Sequence, residues 1–295
     1  MAFQGERGAY SEIAVYGFFG GDAKIQPCRD LRRVFESVDN QEAQFGVVPA
    51  ENSLEGSVNQ TYDLFLTHDL KVCGEIIIRI SHCLIANSDT RLGAIRRVYS
   101  HPQALAQCRS FLERLGSESV PTFDTAGSVR MLKEAGFKDS AAIASKRAAE
   151  IYGMKILARE IEDTPTNYTR FLVISKTDAP KTGEDKTSII FATAHKPGAL
   201  YHALGEFANR NINLTKIESR PTRQEPWEYN FYLDFEGHRT EQQCADAVRA
   251  LQAKAVFLKI LGSYARAAPP HAQVDTRARQ VKRHLSANTR HVIHR

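Results

Sequence analysis

The stretch NYTRFLVI, residues 167–174, sets a hydroxyl, a guanidinium and a phenyl ring side by side at the mouth of an apolar run. A hydroxyl at Thr169 can hydrogen-bond a leaving group, and a guanidinium at Arg170 can hold a carboxylate in a fork. A plain β-strand with Thr169 as strand former and Arg170 as an ion-pair partner uses the same residues. A second polar stretch, AENSLEGSV at 50–58, follows a strand pattern and precedes the helical VNQTYDLFLTH. It sets Glu51, Asn52 and Ser53 on a strand-to-helix loop, where exposed helix N–H groups attract an anion. Three more such junctions occur: GERGAYSE (5–12), YSHPQALAQC (99–108) and FDTAGS (123–128). Each alone reads equally well as a capped turn. Four in one unit predict a site lined by hydroxyls, amides and helix N-termini, suited to a small carboxylic acid.

Other chemistries are absent from the sequence. There is no HExxH, Walker loop or GxSxG. GERGAYSE has two glycines rather than the three of a dinucleotide fingerprint. The five cysteines, Cys28, Cys73, Cys83, Cys108 and Cys244, are scattered and form no CxxC pair, which argues against a disulfide framework or structural zinc. His82 and His101 read as structural histidines, and the aromatics of WEYNFYLDF as strand core.

The elements that must position these residues fall into two textures. Residues 1–175 alternate short apolar strands with helical patterns. FGVVPAE (45–51) reads as a strand, EIIIRISHCLIA (75–86) as one or two, and HPQALAQCRSFLERLG (101–116) as one helix. DTAGSVRMLKEAG (124–136) reads as a helix capped at Asp124 or Thr125 and stopped at Gly136. Repeated β-then-α units imply an α/β sheet with active loops at strand C-termini. The polar KTDAPKTGEDKT (176–187) reads as a linker. Beyond it the order β-α-β-β-α-β over roughly 78 residues is that of a ferredoxin-like domain. Within that domain the PGALYHAL turn and the KIESRP strand end stand out as ligand-binding candidates or as an ordinary helix start and a strand-terminal proline.

The 295 residues carry 42% hydrophobic and 25% charged side chains, ordinary for a globular protein of two or three domains. No run approaches the roughly 18 apolar residues of a membrane span, and MAFQGERGAY has no signal-peptide core, so a cytoplasmic protein is expected. The net charge is +5. Residues 266–295 hold seven Arg and Lys against Asp275, so the remainder is near neutral. The basicity sits in a tail expected to be disordered, and a nucleic-acid partner is not expected.

Together these motifs resemble the prephenate dehydratase family with its C-terminal ACT domain, over about residues 1–265. The resemblance rests on GERGAYSE, PAENSLEGSV, YSHPQALAQC, DTAGS and NYTRFLVI, and on GALYHAL and IESRP for the ACT part. It implies a two-lobed, periplasmic-binding-protein-like α/β catalytic domain over 1–176, with the second lobe at about 81–160. A 177–187 linker, a βαββαβ ACT domain at 188–265 and the tail at 266–295 complete the expected organisation. It implies decarboxylating dehydration of prephenate to phenylpyruvate in phenylalanine synthesis, without a cofactor or metal and under phenylalanine control. The family's catalytic residues fall on Thr169, Glu51, Asn52, Ser100 and Gln107, with Thr169 or Glu51 as proton donor. Substrate binding falls on Ser53, Arg170, Phe171, Thr125 and Ser11. Phenylalanine binding falls on Gly198, Ala199, Leu200, Glu218, Ser219 and Arg220, between two ACT domains of a dimer or tetramer. Arogenate dehydratase, and an amino-acid-sensing binding protein without turnover, are the alternatives.

Overall fold

The computed structural model describes residues 1–222 and 227–268; the expected tail at 266–295 lies almost wholly outside the described residues. The chain opens with β1 (Ala2–Gln4), α1 (Tyr10–Phe19), β2 (Gln26–Cys28), α2 (Leu31–Asp39), β3 (Gly46–Asn52), β4 (Gly56–Ser57), α3 (Asn59–Thr67) and β5 (Lys71–Arg79). It then crosses to a second lobe: β6 (Cys83–Ala86), β7 (Arg97–Ser100), α4 (Pro102–Gln107), α5 (Arg109–Leu115), β8 (Glu118–Pro121), α6 (Thr125–Ala135), β9 (Ser140–Ala144), α7 (Lys146–Tyr152) and β10 (Lys155–Arg159). Strand β11 (Tyr168–Ser175) returns to the first lobe. The first sheet runs β2-β1-β3-β11-β5 with β4 on β3, and the second runs β10-β6-β9-β7-β8. Two segments therefore join the lobes, and β11 lies antiparallel between β3 and β5.

Local chemistry sets the boundaries. Asp30, Asp124 and Ser145 cap α2, α6 and α7 by accepting from backbone N–H groups three residues on. The helix expected over 101–116 is two, α4 and α5, because the chain leaves helical geometry at Cys108. The lobes also touch away from the crossovers. The buried Glu12 carboxylate accepts from Gly8 N at 2.5 Å and from Arg147 Nε at 3.0 Å, and Ser145 Oγ donates to Gly8 O at 2.6 Å. Gly8 has φ +92°, and a Cβ there would lie 2.6 Å from Ala148 Cα, so only glycine fits the approach.

The C-terminal domain comprises β12 (Asp185–Thr193), α8 (Ala199–Ala208), β13 (Leu214–Pro221), β14 (Tyr229–Glu236), α9 (Gln242–Gln252) and β15 (Ala255–Ala265). Its antiparallel sheet runs β13-β14-β12-β15. Strand β12 starts at Asp185, inside the segment read as linker, because Lys186 and Thr187 already pair with β14 and β15. One face carries α8 and α9 over Phe191, Phe207, Phe235 and Leu251. The other face contributes Ile190, Tyr232, Leu261 and Tyr264 to the same core as Val72, Phe65 and Leu172 of the first lobe. The domain thus shares a core with the first lobe instead of hanging from a tether. Among the described residues no helix is long and apolar enough to cross a membrane.

A buried ionic cluster crosses this shared core. Arg170 Nε donates to Glu75 Oε2 at 2.6 Å, Nη1 to Asp234 Oδ2 at 2.6 Å and Nη2 to the Tyr264 hydroxyl at 2.8 Å. Lys186 Nζ donates to Glu75 Oε1 at 2.9 Å, and Ser188 Oγ donates to Asp234 Oδ1 at 2.5 Å. Burial opposes the charge on Asp234, yet Arg170 and the Ser188 hydroxyl outweigh it and hold the carboxyl below its ordinary value. A depressed carboxyl contributes stability that is present above its unfolded pKa and is lost as pH falls through the folded value. Resistance of the full chain to urea should therefore weaken as pH falls below about 3.9. At pH 7, Arg170→Ala leaves Asp234 without its cationic partner and Glu75 with Lys186 alone, and should cost about 3–5 kcal/mol; an unchanged urea midpoint would remove the cluster from the stability of the domain junction.

Candidate active site

The cleft between the lobes encloses ≈ 350 Å³ and is lined by all four strand-to-helix loops and β11. Gly5, Tyr10 and Ser11 come from the first loop, Asn52 and Val58 from the second, His101 and Gln107 from the third, Phe123 and Thr125 from the fourth. Thr169 and Phe171 contribute from β11. Side chains alternate along a strand. Thr169 and Phe171 therefore face the cleft, and Arg170 faces the C-terminal domain. The same holds for β3, whose Asn52 is paired with Thr169 and whose Glu51 is paired with Arg170.

At the centre, Asn52 Nδ2 donates to Thr169 Oγ1 at 3.0 Å, to Asn167 Oδ1 at 2.7 Å and to Tyr168 O at 3.1 Å. The orientation of that amide is set by the backbone: Leu54 N and Glu55 N donate to Asn52 Oδ1 at 3.0 and 3.1 Å. The nitrogen end must then face Thr169. With its oxygen already accepting a hydrogen bond, the Thr169 hydroxyl is left to donate. An N–H on that oxygen also favours the alkoxide left after proton release. Thr169 and Asn52 are both buried.

Beyond Asn52, Asn167 Nδ2 donates to Gln107 Oε1 at 2.9 Å, bringing a residue of α4 against the approach to β11. His82 Nε2 lies 3.0 Å from the same oxygen, and the Tyr10 hydroxyl lies 3.0 Å from His82 Nδ1. Burial lowers the His82 pKa below the ordinary histidine value, with the Gln107 hydrogen bond a smaller opposing effect, so the ring is neutral at pH 7. Burial likewise pushes the Tyr10 phenol well above its usual value. Among the described residues lining the cleft there is no lysine or arginine. The charged residue lining the cleft is Asp124, whose carboxylate accepts from Gly127 N at the start of α6, while Ala9 at the N-cap of α1 provides no side-chain cap.

The sequence expectations divide accordingly. Asn52, Gln107, Thr169, Phe171, Thr125 and Ser11 meet at the cleft. Arg170 does not: its three partners lie on the reverse face of the sheet, so a grip on a substrate carboxylate fails for geometric reasons. Glu51 points the same way, to Lys216 at 3.3 Å, which removes it as a rival proton donor. Ser100 Oγ is fully buried and donates to Ile143 O at 2.7 Å. Ser53 Oγ accepts from Tyr168 N at 2.9 Å and donates to Thr166 O at 3.1 Å, stitching two chain ends together outside the cleft. Three residues of the cleft network are not placed in the site from sequence: Tyr10 and Asn167 are given no role there, and His82 reads as structural. For Asn167 the signal is its place one residue before β11 in the NYTRF motif.

In the C-terminal domain, Gly198 is the left-handed N-cap of α8, with φ 78°. Ala199 and Leu200 line a pocket of ≈ 160 Å³ with His195, Trp227 and Tyr229. The other three expected ligand residues lie elsewhere. Glu218 accepts from Ser57 Oγ of the first lobe and pairs with Lys216 at 3.1 Å. Ser219 faces outward from the edge strand β13, and Arg220 shares the inner side with Glu218. Alternation along β13 separates Ser219 from its two neighbours.

Residues 1–179 match the family model described as prephenate dehydratase, and residues 187–252 match the ACT domain. The chain belongs to the prephenate dehydratase family. A bifunctional chorismate mutase/prephenate dehydratase of Aquifex aeolicus is 45% identical over 90% of this chain and 74% of its own length. An Arabidopsis thaliana protein named arogenate dehydratase/prephenate dehydratase 2, chloroplastic, is 42% identical over 90% and 72%. The crystal structure of an Arthrobacter aurescens prephenate dehydratase in complex with L-Phe superposes with TM-score 0.83 at 33% identity, covering 97% of this chain and 99% of that one. A structure described as GqqA, a novel type of quorum quenching acylase, gives TM-score 0.83 at 36% identity over 91% and 98%. The two lobes are thus the periplasmic-binding-protein-like lobes of a dehydratase, and the C-terminal domain is its ACT domain.

Asn52→Asp keeps the acceptor for Leu54 and Glu55 but removes the N–H on Thr169. Dehydratase kcat should fall about 10²–10³-fold, the loss typical of one such donor, with the circular dichroism spectrum unchanged. Wild-type rates would show that Asn52 does not polarise Thr169.

Proposed function

We propose that this family member converts prephenate to phenylpyruvate, water and CO2, with Thr169 as the proton donor to the departing hydroxyl. The observation that carries this reading is the Asn52 amide at 3.0 Å from Thr169 Oγ1, with its orientation fixed by two backbone N–H groups. Loss of the ring carboxylate and hydroxyl leaves an aromatic ring, so the driving force lies in the substrate. The enzyme has to deliver one proton and hold the ring in place. Phe171, Val58, Ile80 and Ala104 supply an apolar wall against which a carboxylate leaves more readily as neutral CO2. The uncapped first turn of α1 is the counterpart for a substrate carboxylate.

The similarity to an acylase prompts a second chemistry, in which Thr169 attacks an amide. The hydrogen-bond pattern disfavours it. A nucleophilic hydroxyl needs a base to accept its proton, and among the described residues no carboxylate or imidazole accepts from Thr169.

Phenylalanine is proposed to bind at the Gly198–Leu200 turn of the ACT domain, in a cytoplasmic homo-oligomer. A route to the cleft is at hand. Lys216 Nζ pairs with Glu51 at 3.3 Å and donates to Ser57 Oγ at 2.7 Å, and these residues flank the loop that carries Asn52. Asp234 holds Arg170, the neighbour of Thr169. A shift of the ACT sheet is therefore felt at both members of the catalytic pair.

The deciding assay is phenylpyruvate formation from prephenate, with arogenate run in parallel and phenylalanine added to each. Turnover of prephenate is expected; binding without turnover of either acid would support an amino-acid sensor instead. Thr169→Ala should lower kcat about 10²–10⁴-fold, and Thr169→Ser, which keeps the hydroxyl, much less. Lys216→Ala should weaken inhibition while phenylalanine still binds, as calorimetry would report. Undiminished inhibition would place the coupling on another route.

A further inference from the structure

The hydrogen bonds around the cleft form one line from Asn52 to Tyr10, and the direction of most links can be deduced. Asn52 Oδ1 accepts from two backbone N–H groups, so its Nδ2 faces Asn167 Oδ1 at 2.7 Å. The other end of the Asn167 amide is then Nδ2, which donates to Gln107 Oε1 at 2.9 Å. His82 Nε2 lies 3.0 Å from that oxygen, so this nitrogen carries the hydrogen. In the neutral ring Nδ1 is then an acceptor, and the single Tyr10 hydroxyl proton is shared between Nδ1 at 3.0 Å and Ser81 O at 2.6 Å. Asn167 is 0% exposed and His82 2% exposed, so neither can exchange its protein partners for water without opening the site.

The consequence falls on Gln107 and Thr169. Two donors saturate Gln107 Oε1, and its amide nitrogen has no protein partner among the described residues. A flipped Gln107 would set its NH2 group against the N–H groups of both Asn167 and His82. The line therefore leaves two donors for the cleft, the Gln107 amide and the Thr169 hydroxyl, and no acceptor competes for either. It also crosses between lobes, since Gln107 and His82 belong to the second and Tyr10, Asn52 and Thr169 to the first.

We infer that Asn167 and His82 are positioning residues for the dehydration, holding Gln107 in the orientation that turns its amide N–H toward the substrate, beside the Thr169 hydroxyl. The role rests on the dehydratase reading of the cleft, while the polarity of the line does not.

The polarity is read directly by nitrogen NMR of the full chain labelled with 15N-histidine, with the His82 signal assigned by its absence from His82→Gln. A neutral ring protonated at Nε2 at pH 7 is expected; protonation at Nδ1 overturns the line. Asn167→Asp keeps the acceptor for Asn52 but removes the donor to Gln107. Gln107 must then turn its amide, and His82 should switch to the Nδ1–H form. An unswitched ring in that variant also overturns the line. The kcat of Asn167→Asp should drop about 10²-fold, as for a small misplacement of reacting groups, with KM changed far less than kcat. His82→Gln, which can still present an N–H to Gln107, should retain more activity than His82→Leu. Equal losses in those two variants, or an unchanged kcat in Asn167→Asp, overturn the positioning role. A wild-type chain inactive on both prephenate and arogenate rejects the dehydratase reading and this role with it, and the tautomer result then shows whether the line itself stands.

Discussion

The two-residue period of a β-strand organises this molecule. Strands β3 and β11 lie side by side, and their facing pairs alternate between two environments. Asn52 and Thr169 form one pair, turned to the cleft. Glu51 and Arg170 form the next, turned to the ACT domain. The cleft-facing pair and the pair that contacts the ACT domain are thus opposite faces of the same two strand segments. Nothing can shift one pair without moving backbone shared with the other, because a sheet of this kind transmits displacement rather than absorbing it.

The face toward the cleft derives its directionality from a short turn. Two backbone N–H groups after Asn52 settle which end of its amide is oxygen, and each later amide inherits its orientation from the one before. This is how uncharged side chains can favour proton donation from a threonine, intrinsically a weak acid. The hydroxyl is prepared by a donor at its oxygen, a buried setting and the absence of a competing acceptor. His82 is held uncharged by burial, and the charged residue lining the cleft, Asp124, is committed to the start of α6.

The reverse face is built from charged groups, which the Asn52–Thr169 pair lacks. Arg170, Glu75, Asp234 and Lys186 are mutually paired, and Ser188 and Tyr264 take part in the same network. A buried cluster of this type adds little net stability over an apolar replacement, but it has one geometry in which every group is satisfied. That makes it suited to fixing the registry of two domains. The aromatic contact of Tyr62 with Tyr232, at 4.8 Å between ring centroids, supplies apolar burial beside it. A domain anchored in this way acts as part of the catalytic lobe and not as a tethered sensor.

The sequence by itself determined most element types and the domain order, because hydrophobic period and capping residues are local properties; the segment read as a linker instead runs into β12. Asp124 and Gly136 bounded α6 as their chemistry requires, and the four polar strand-to-helix loops did converge on one cleft. The family motifs named Asn52, Gln107 and Thr169. Tertiary structure alone decided which neighbours of those residues share the site. Arg170 and Glu51 are adjacent in sequence to catalytic residues, yet strand alternation directs them away. Ser100 spends its hydroxyl on β9, a partner 43 positions distant. Tyr10, His82 and Asn167 come together only after the chain has crossed between lobes twice. Hydrogen-bond direction depends on partners far apart along the chain, so it becomes legible only when the fold has brought them within 3 Å.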